Sequence, residues 1–287
     1  MRRLVRAGDV VLCVETFGAP ADQPVVLIAG SGACMYSWPD EFCALLAGRG
    51  RFVVRYDHRD TGRSTAYPVG TVGYGLRDLA GDVFRLLDAH GLARAHLVGA
   101  SMGGMVAQVA ALREPARVAS LTLLSTSPAP PGADCPELPP PSLRVRQELA
   151  DVDWPDWSDR DGVVAYLVAL ARVRSGPRGL DESNAIGIAG RTFDHASEPA
   201  AMTNHALLDY GPPWRERLAE SSVPALVVHG SHDPIVPPAH AHVLAAEFRA
   251  DLVMLPDAGH DLEPADWAVV VPALLRHTVE RTLGRVE

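Results

Sequence analysis

The chain has 287 residues, 47% of them hydrophobic and 21% charged, a composition that excludes a disordered or fibrous protein. A formal net charge of -9, with no lysine- or arginine-rich stripe to offset it, argues against nucleic acid as a partner. No apolar stretch approaches the ~20 residues that cross a bilayer, and the start, Met1-Arg2-Arg3-Leu4-Val5-Arg6-Ala7-Gly8-Asp9, lacks the apolar run of a secretory signal, so no membrane association and a cytoplasmic location are expected.

The first strands are expected at 10–15, 24–29 and 52–56; the second is a near-continuous apolar run of the kind buried on both faces of a parallel sheet. Helical spacing follows at 39–46 and 76–90, the latter with Leu79, Val83, Leu86 and Leu87 on one face. The alternation continues through a strand at 95–99, a helix at 102–112 and a strand at 118–124, which predicts a doubly wound, mostly parallel α/β sheet. It then stops, because seven prolines fall in the fourteen residues from Pro128 onward. Residues 143–218 carry only helical patterns, such as 162–174 and 199–208, before strands resume at 224–229 and 252–255 around a helix at 239–248. A last amphipathic helix is expected from 265 to 283. The chain thus divides into a core of 1–126 and 220–287 and a helical cap of 127–219, with no internal repeat. Its four cysteines, Cys13, Cys34, Cys43 and Cys135, have neither metal-ligand spacing nor disulfide-scaffold density and read as reduced thiols.

Gly99-Ala100-Ser101-Met102-Gly103 matches G-x-S-x-G, and it falls between an apolar strand and a helix, where a sharp turn would hold a serine in strained geometry. The competing reading of Ser101 is a plain helix N-cap. A serine hydroxyl needs a neighbouring base to become a nucleophile. Of the eleven histidines, His260 lies in the loop after the last strand, at the sheet edge where the elbow opens. Asp233 follows the preceding strand and is the expected partner of that imidazole, whereas Asp257 and Asp261 read as loop-capping residues. The order Ser, Asp, His is that of the α/β-hydrolases. An oxyanion needs two donors: the Met102 N–H, next to the nucleophile, and the Ser31 N–H in Ala29-Gly30-Ser31-Gly32, with Gly30 allowing close backbone approach. These glycines match neither G-x-G-x-x-G nor a P-loop, so no nucleotide site is expected.

His229, His232, His240 and His242 crowd into fourteen residues but lack H-E-x-x-H spacing; no metal is expected there, only a packed His229 and solvated neighbours. Asp57-His58-Arg59-Asp60-Thr61-Gly62-Arg63-Ser64 reads mainly as a hydrogen-bonded turn bracing the site.

Trp38-Pro39-Asp40-Glu41-Phe42, the stretch from Arg55 to Thr65 and the Gly-Ala-Ser-Met-Gly-Gly elbow resemble the aclacinomycin methylesterase branch of the α/β-hydrolases. The likeness is good over 24–125, moderate over 223–262 and weaker in the insertion. It implies an α/β-hydrolase fold, a triad of Ser101, Asp233 and His260, an oxyanion hole from Ser31 and Met102, a helical cap, and hydrolysis of a methyl ester on a polycyclic polyketide. Ala29 departs from the histidine that many of these enzymes carry before the oxyanion glycine. The mechanism expected is two-step acyl transfer without a cofactor, on a small hydrophobic ester, with a homodimer as the assembly allowed for. Trp154, Trp157, Tyr166, Phe193, Met202, Leu207 and Tyr210 are candidates to wall the pocket with Gly30, a minority facing substrate and the rest forming the cap's own core. The same triad also serves thioester, carbon–carbon and perhydrolase chemistry, and a ligand-binding module on this fold is the alternative outside enzymology. An aspartate nucleophile, as in epoxide hydrolases and haloalkane dehalogenases, is disfavoured by Ser101.

Overall fold

Eight strands, β1 (Arg2–Ala7), β2 (Val10–Phe17), β3 (Gln23–Ile28), β4 (Arg51–Tyr56), β5 (Ala95–Ala100), β6 (Val118–Leu124), β7 (Ala225–Gly230) and β8 (Asp251–Leu255), form one sheet. The computed structural model describes residues 2–130, 135 and 137–279. The order is β1-β2-β4-β3-β5-β6-β7-β8, antiparallel across the first two pairings and parallel from β4 to β8. β1 was not anticipated: it is an edge strand joined to β2 through Gly8-Asp9, and its exposed Arg2, Arg3 and Leu4 conceal the strand pattern.

β3 shows why the sheet is doubly covered. Val26 and Ile28 enter one apolar cluster, and Val25 and Leu27 enter another on the opposite face. On the first side pack α2 (Leu76–Ala89), α3 (Met102–Arg113) and a later helix through Leu244 and Phe248; on the second pack α1 (Asp40–Ala47), through Phe42 and Leu46, and the last helix, through Val270 and Leu274. Leu79, Leu86 and Leu87 of α2 are at most 1% exposed, and burying one such leucine contributes roughly 1.5–3 kcal/mol.

Between β6 and β7 lie α4 (Leu143–Ala150), α5 (Arg160–Arg174) and α6 (Glu182–His195), started by side-chain caps from Ser142, Asp159 and Asp181. The segment Pro199–Leu207, expected as an α-helix, is a 3-10 helix, followed by a second 3-10 turn at Arg215–Glu220. α7 (Ala239–Phe248) and α8 (Trp267–His277) complete the fold. α8 ends at His277; Leu283, where that helix was expected to stop, lies outside the described residues, as do Pro131 and Pro136 of the proline run. Among the described residues no helix is long and apolar enough to cross a membrane. The loops after β3, β5, β7 and β8 all leave the carboxyl edge of the sheet, where open α/β sheets place their ligands.

Candidate active site

Ser101 occupies the single position between β5 and α3, at φ 53 and ψ -121, a conformation that a residue with a Cβ rarely adopts. Its surroundings enforce this. A Cβ on Gly99 would stand 2.3 Å from the Gly103 carbonyl, and one on Gly103 would stand 2.3 Å from that of Ile28, so only glycine lets strand, turn and helix approach this closely. The Ser101 N–H donates to Leu124 O at 2.9 Å, and its carbonyl accepts from Gly104 N at 2.9 Å and Thr126 Oγ1 at 2.6 Å. The strained serine is therefore pinned on both sides by backbone bonds.

His260 is set by its own N–H, which donates to Arg174 O on α5 at 2.9 Å. Its Nδ1 lies 2.8 Å from Oδ2 of Asp233, and both side chains are buried. Oδ1 of the same carboxylate accepts from the N–H groups of Ile235 and Val236, each at 2.9 Å. A carboxylate only accepts, so Nδ1 carries the proton and the lone pair sits on Nε2. Burial alone would lower the His260 pKa; the charge and hydrogen bond of Asp233, with the charge of Asp261, outweigh it and hold the imidazole above its ordinary value. The two nearby acids are engaged elsewhere: Asp261 pairs with Arg174 at 2.8 Å, and exposed Asp257 lies 3.7 Å from His232.

Ser101, His260, Gly30 and Ser31 line one cavity of about 600 Å³. Among the described residues neither the Ser31 N–H nor the Met102 N–H has a protein acceptor. Trp157 and Tyr166 stand on the wall, as does Met202. Trp154 does not: it is 67% exposed and meets the edge of Trp157 from outside at 6.0 Å. Phe193 borders a separate small hollow, Tyr210 packs against the core, and Leu207 is exposed. The wall also carries polar groups that sequence patterns did not single out, Asn184 and Glu263. Oε2 of Glu263 is buried without a hydrogen-bond partner among the described residues, and burial together with the charge of Asp261 pushes its pKa up to about 7. Its position three residues beyond His260, in the same loop, was the only available signal.

The charged loop braces this edge. Asp57 accepts from Met35 N at 2.9 Å and Arg63 N at 3.0 Å, Arg59 forms a paired bond with Asp82 at 2.7 and 2.9 Å, and Asp60 accepts from Tyr74 Oη at 2.7 Å. Of the crowded histidines, His229 is buried on Val236 O, while His232 and His242 reach the surface. His240 departs from expectation: it is buried, bonded to Ser127 Oγ and Pro139 O at 3.0 Å each. The potential metal-ligating group found among the described residues lies elsewhere, where Cys13, Asp57 and His195 bring their ligand atoms within 4.8 Å; Asp57 is already bonded there to His195 Nε2 at 2.7 Å.

A family model described as the alpha/beta hydrolase fold matches residues 23–262. The chain belongs to the α/β hydrolase family. A rhodomycin D methylesterase of Streptomyces sp. strain C5 is 34% identical across 98% of this chain and 99% of its own length. A putative carbamate hydrolase of Variovorax paradoxus is 31% identical over 91% of this chain and 93% of its own. Among solved structures, a meta-cleavage product hydrolase of Pseudomonas fluorescens superposes with a TM-score of 0.74 at 19% identity, covering 96% of each chain, and is a likeness of fold. This α/β hydrolase is an enzyme of the ester-cleaving kind, as its full-length likeness to methylesterases indicates.

Proposed function

We propose that this hydrolase cleaves a carboxylic ester, a methyl ester of a bulky and largely apolar metabolite of the polyketide type, through an acyl-enzyme on Ser101. The observation that carries the reading is the convergence on one cavity of a strained elbow serine and an imidazole whose other nitrogen is held by a buried carboxylate. His260 Nε2 takes the Ser101 proton as Oγ attacks the carbonyl; the oxyanion is stabilised by the N–H groups of Ser31 and Met102; the alcohol leaves with the proton from His260, and water then repeats the sequence to release the acid. A cavity of about 600 Å³ walled by Trp157 and Tyr166 suits a large flat substrate. The full-length likeness to relatives named for rhodomycin D supports that substrate class. In this reading residues 127–219 act as a cap on a core of 1–126 and 220–287.

A fluorophosphonate should add to Ser101, located by mass spectrometry of the digested protein. Folded enzyme that takes up no adduct there would overturn the serine mechanism. The base must be neutral to accept a proton. Because Asp233 holds its pKa above 6.5, kcat/KM is expected to fall with decreasing pH through a midpoint above that value. An acidic limb centred below pH 6 in a full pH–rate profile would remove His260 from the role of base.

A further inference from the structure

The loop proposed to supply the second oxyanion donor is held from an unexpected direction. Gly32 N–H donates to Nδ1 of His205 at 2.8 Å, and His205 Nε2 lies 2.8 Å from the carbonyl oxygen of Arg59. An N–H can only donate and a carbonyl can only accept, so these two neighbours fix the imidazole as the neutral tautomer with its proton on Nε2. The ring is 1% exposed, and its burial lowers the pKa, in keeping with a neutral side chain. From the loop after β4, the strand that pairs with β3, His58 Nε2 donates to Ala29 O at 3.0 Å, and the two rings meet edge to face at 5.9 Å. Two histidines thus grip the turn that contains Ser31, one before it and one after it.

His205 is itself firmly held. Its neighbour Asn204, fully buried, accepts from Gly70 N at 2.8 Å and donates to the carbonyls of Tyr67 and Pro68 at 3.3 Å. The 3-10 segment that carries both residues also presents Met202, Thr203 and Ala206 to the cavity. One short segment therefore forms part of the substrate wall and, through a single imidazole, fixes the turn at Gly30–Gly32.

We propose that His205 is a positioning residue for the oxyanion hole, its Nδ1 holding the Gly32 N–H and with it the turn that aims the Ser31 N–H at the acyl oxygen. The assignment rests on the reading of Ser31 and Met102 as the oxyanion donors. Its consequence is selective: displacing the turn weakens a contact made in the transition state, so kcat falls while substrate binding changes little.

The test compares two polar replacements of similar burial. His205→Asn retains an acceptor near the position of Nδ1, whereas His205→Gln carries its amide farther out, toward Arg59. Rates on p-nitrophenyl esters are taken per site titrated by fluorophosphonate, so that a partly folded preparation still reports on its active fraction. His205→Gln is expected to lose kcat by roughly 10- to 100-fold with KM within threefold, somewhat less than removal of an oxyanion donor outright; His205→Asn should recover most of that loss. The ratio of ester to thionoester turnover should fall in His205→Gln, because a displaced donor no longer favours oxygen over sulfur. Equal kcat per site in both variants, or an unchanged ester-to-thionoester ratio, overturns the proposal. Ser101→Ala assayed in parallel separates the two levels: turnover by that variant within tenfold of the parent overturns the serine mechanism itself, whereas a severely impaired Ser101→Ala beside a fully active His205→Gln overturns only the role of His205.

Discussion

Ser101→Ala is expected to lower kcat by on the order of 10⁶-fold with KM within a few-fold of the parent. The size of the effect follows from what the hydroxyl does and does not do. It contributes no hydrogen bond to another described residue, while the backbone of Ser101 is held by Leu124, Gly104 and Thr126 irrespective of the side chain. Alanine keeps the Cβ and the φ of 53 that the elbow imposes, so the variant should fold and melt close to the parent. What disappears is the atom proposed to attack, and with it the proposed use for the lone pair on His260 Nε2. The cavity and the proposed Ser31 and Met102 donors would remain, leaving a residual acceleration over water of about 10³-fold. Turnover of a p-nitrophenyl ester by purified Ser101→Ala within tenfold of the parent would show that the nucleophile is another group.

The fold was legible because its decisive signals are local. Val25 to Ile28 form an unbroken apolar run, and an uncovered face would show as alternation; the structure uses both faces, with two residues to each side. The Gly99 and Gly103 spacing was equally legible, since it reflects contacts between a strand and the helix that immediately follows it. β1 escaped notice for the converse reason: an edge strand needs no continuous apolar face, and three arginines in six residues look like a solvated terminus.

The cavity wall lies at the other extreme. Trp154, Trp157 and Tyr166 are close in sequence and touch one another, yet the outer ring of this aromatic trio is exposed and the other two face the cavity. Composition cannot decide which ring is outermost, because the packing of α5 against α6 settles that. His205 is harder still. The bond to Gly32 spans 173 positions, and nothing in Asn204-His205-Ala206 distinguishes a residue that holds the Gly30–Gly32 turn from one that fills a 3-10 segment.

Asp233→Asn is expected to cost about 10⁴-fold in kcat, although it changes one atom and little of the shape. The reason lies in the unequal surroundings of the two carboxylate oxygens. Oδ1 accepts from two backbone N–H groups, Ile235 and Val236, so the amide oxygen of an asparagine is compelled to take that place. The NH₂ then occupies the position of Oδ2, 2.8 Å from His260 Nδ1, and donates where the carboxylate accepted. The imidazole answers by moving its proton to Nε2, which leaves that nitrogen no lone pair with which to act as the proposed base. Loss of the negative charge also removes the main influence that raises the His260 pKa, so the acidic limb of any remaining activity should move to lower pH. The backbone bonds to Oδ1 survive, and the melting temperature should stay near that of the parent. Nitrogen-15 spectra of the histidines can read the tautomer directly, with His260 passing from an Nδ1–H to an Nε2–H form in the variant. Retention of the Nδ1–H signal together with parental kcat would mean that the Asp233 charge and the tautomer it selects are not what prepares His260.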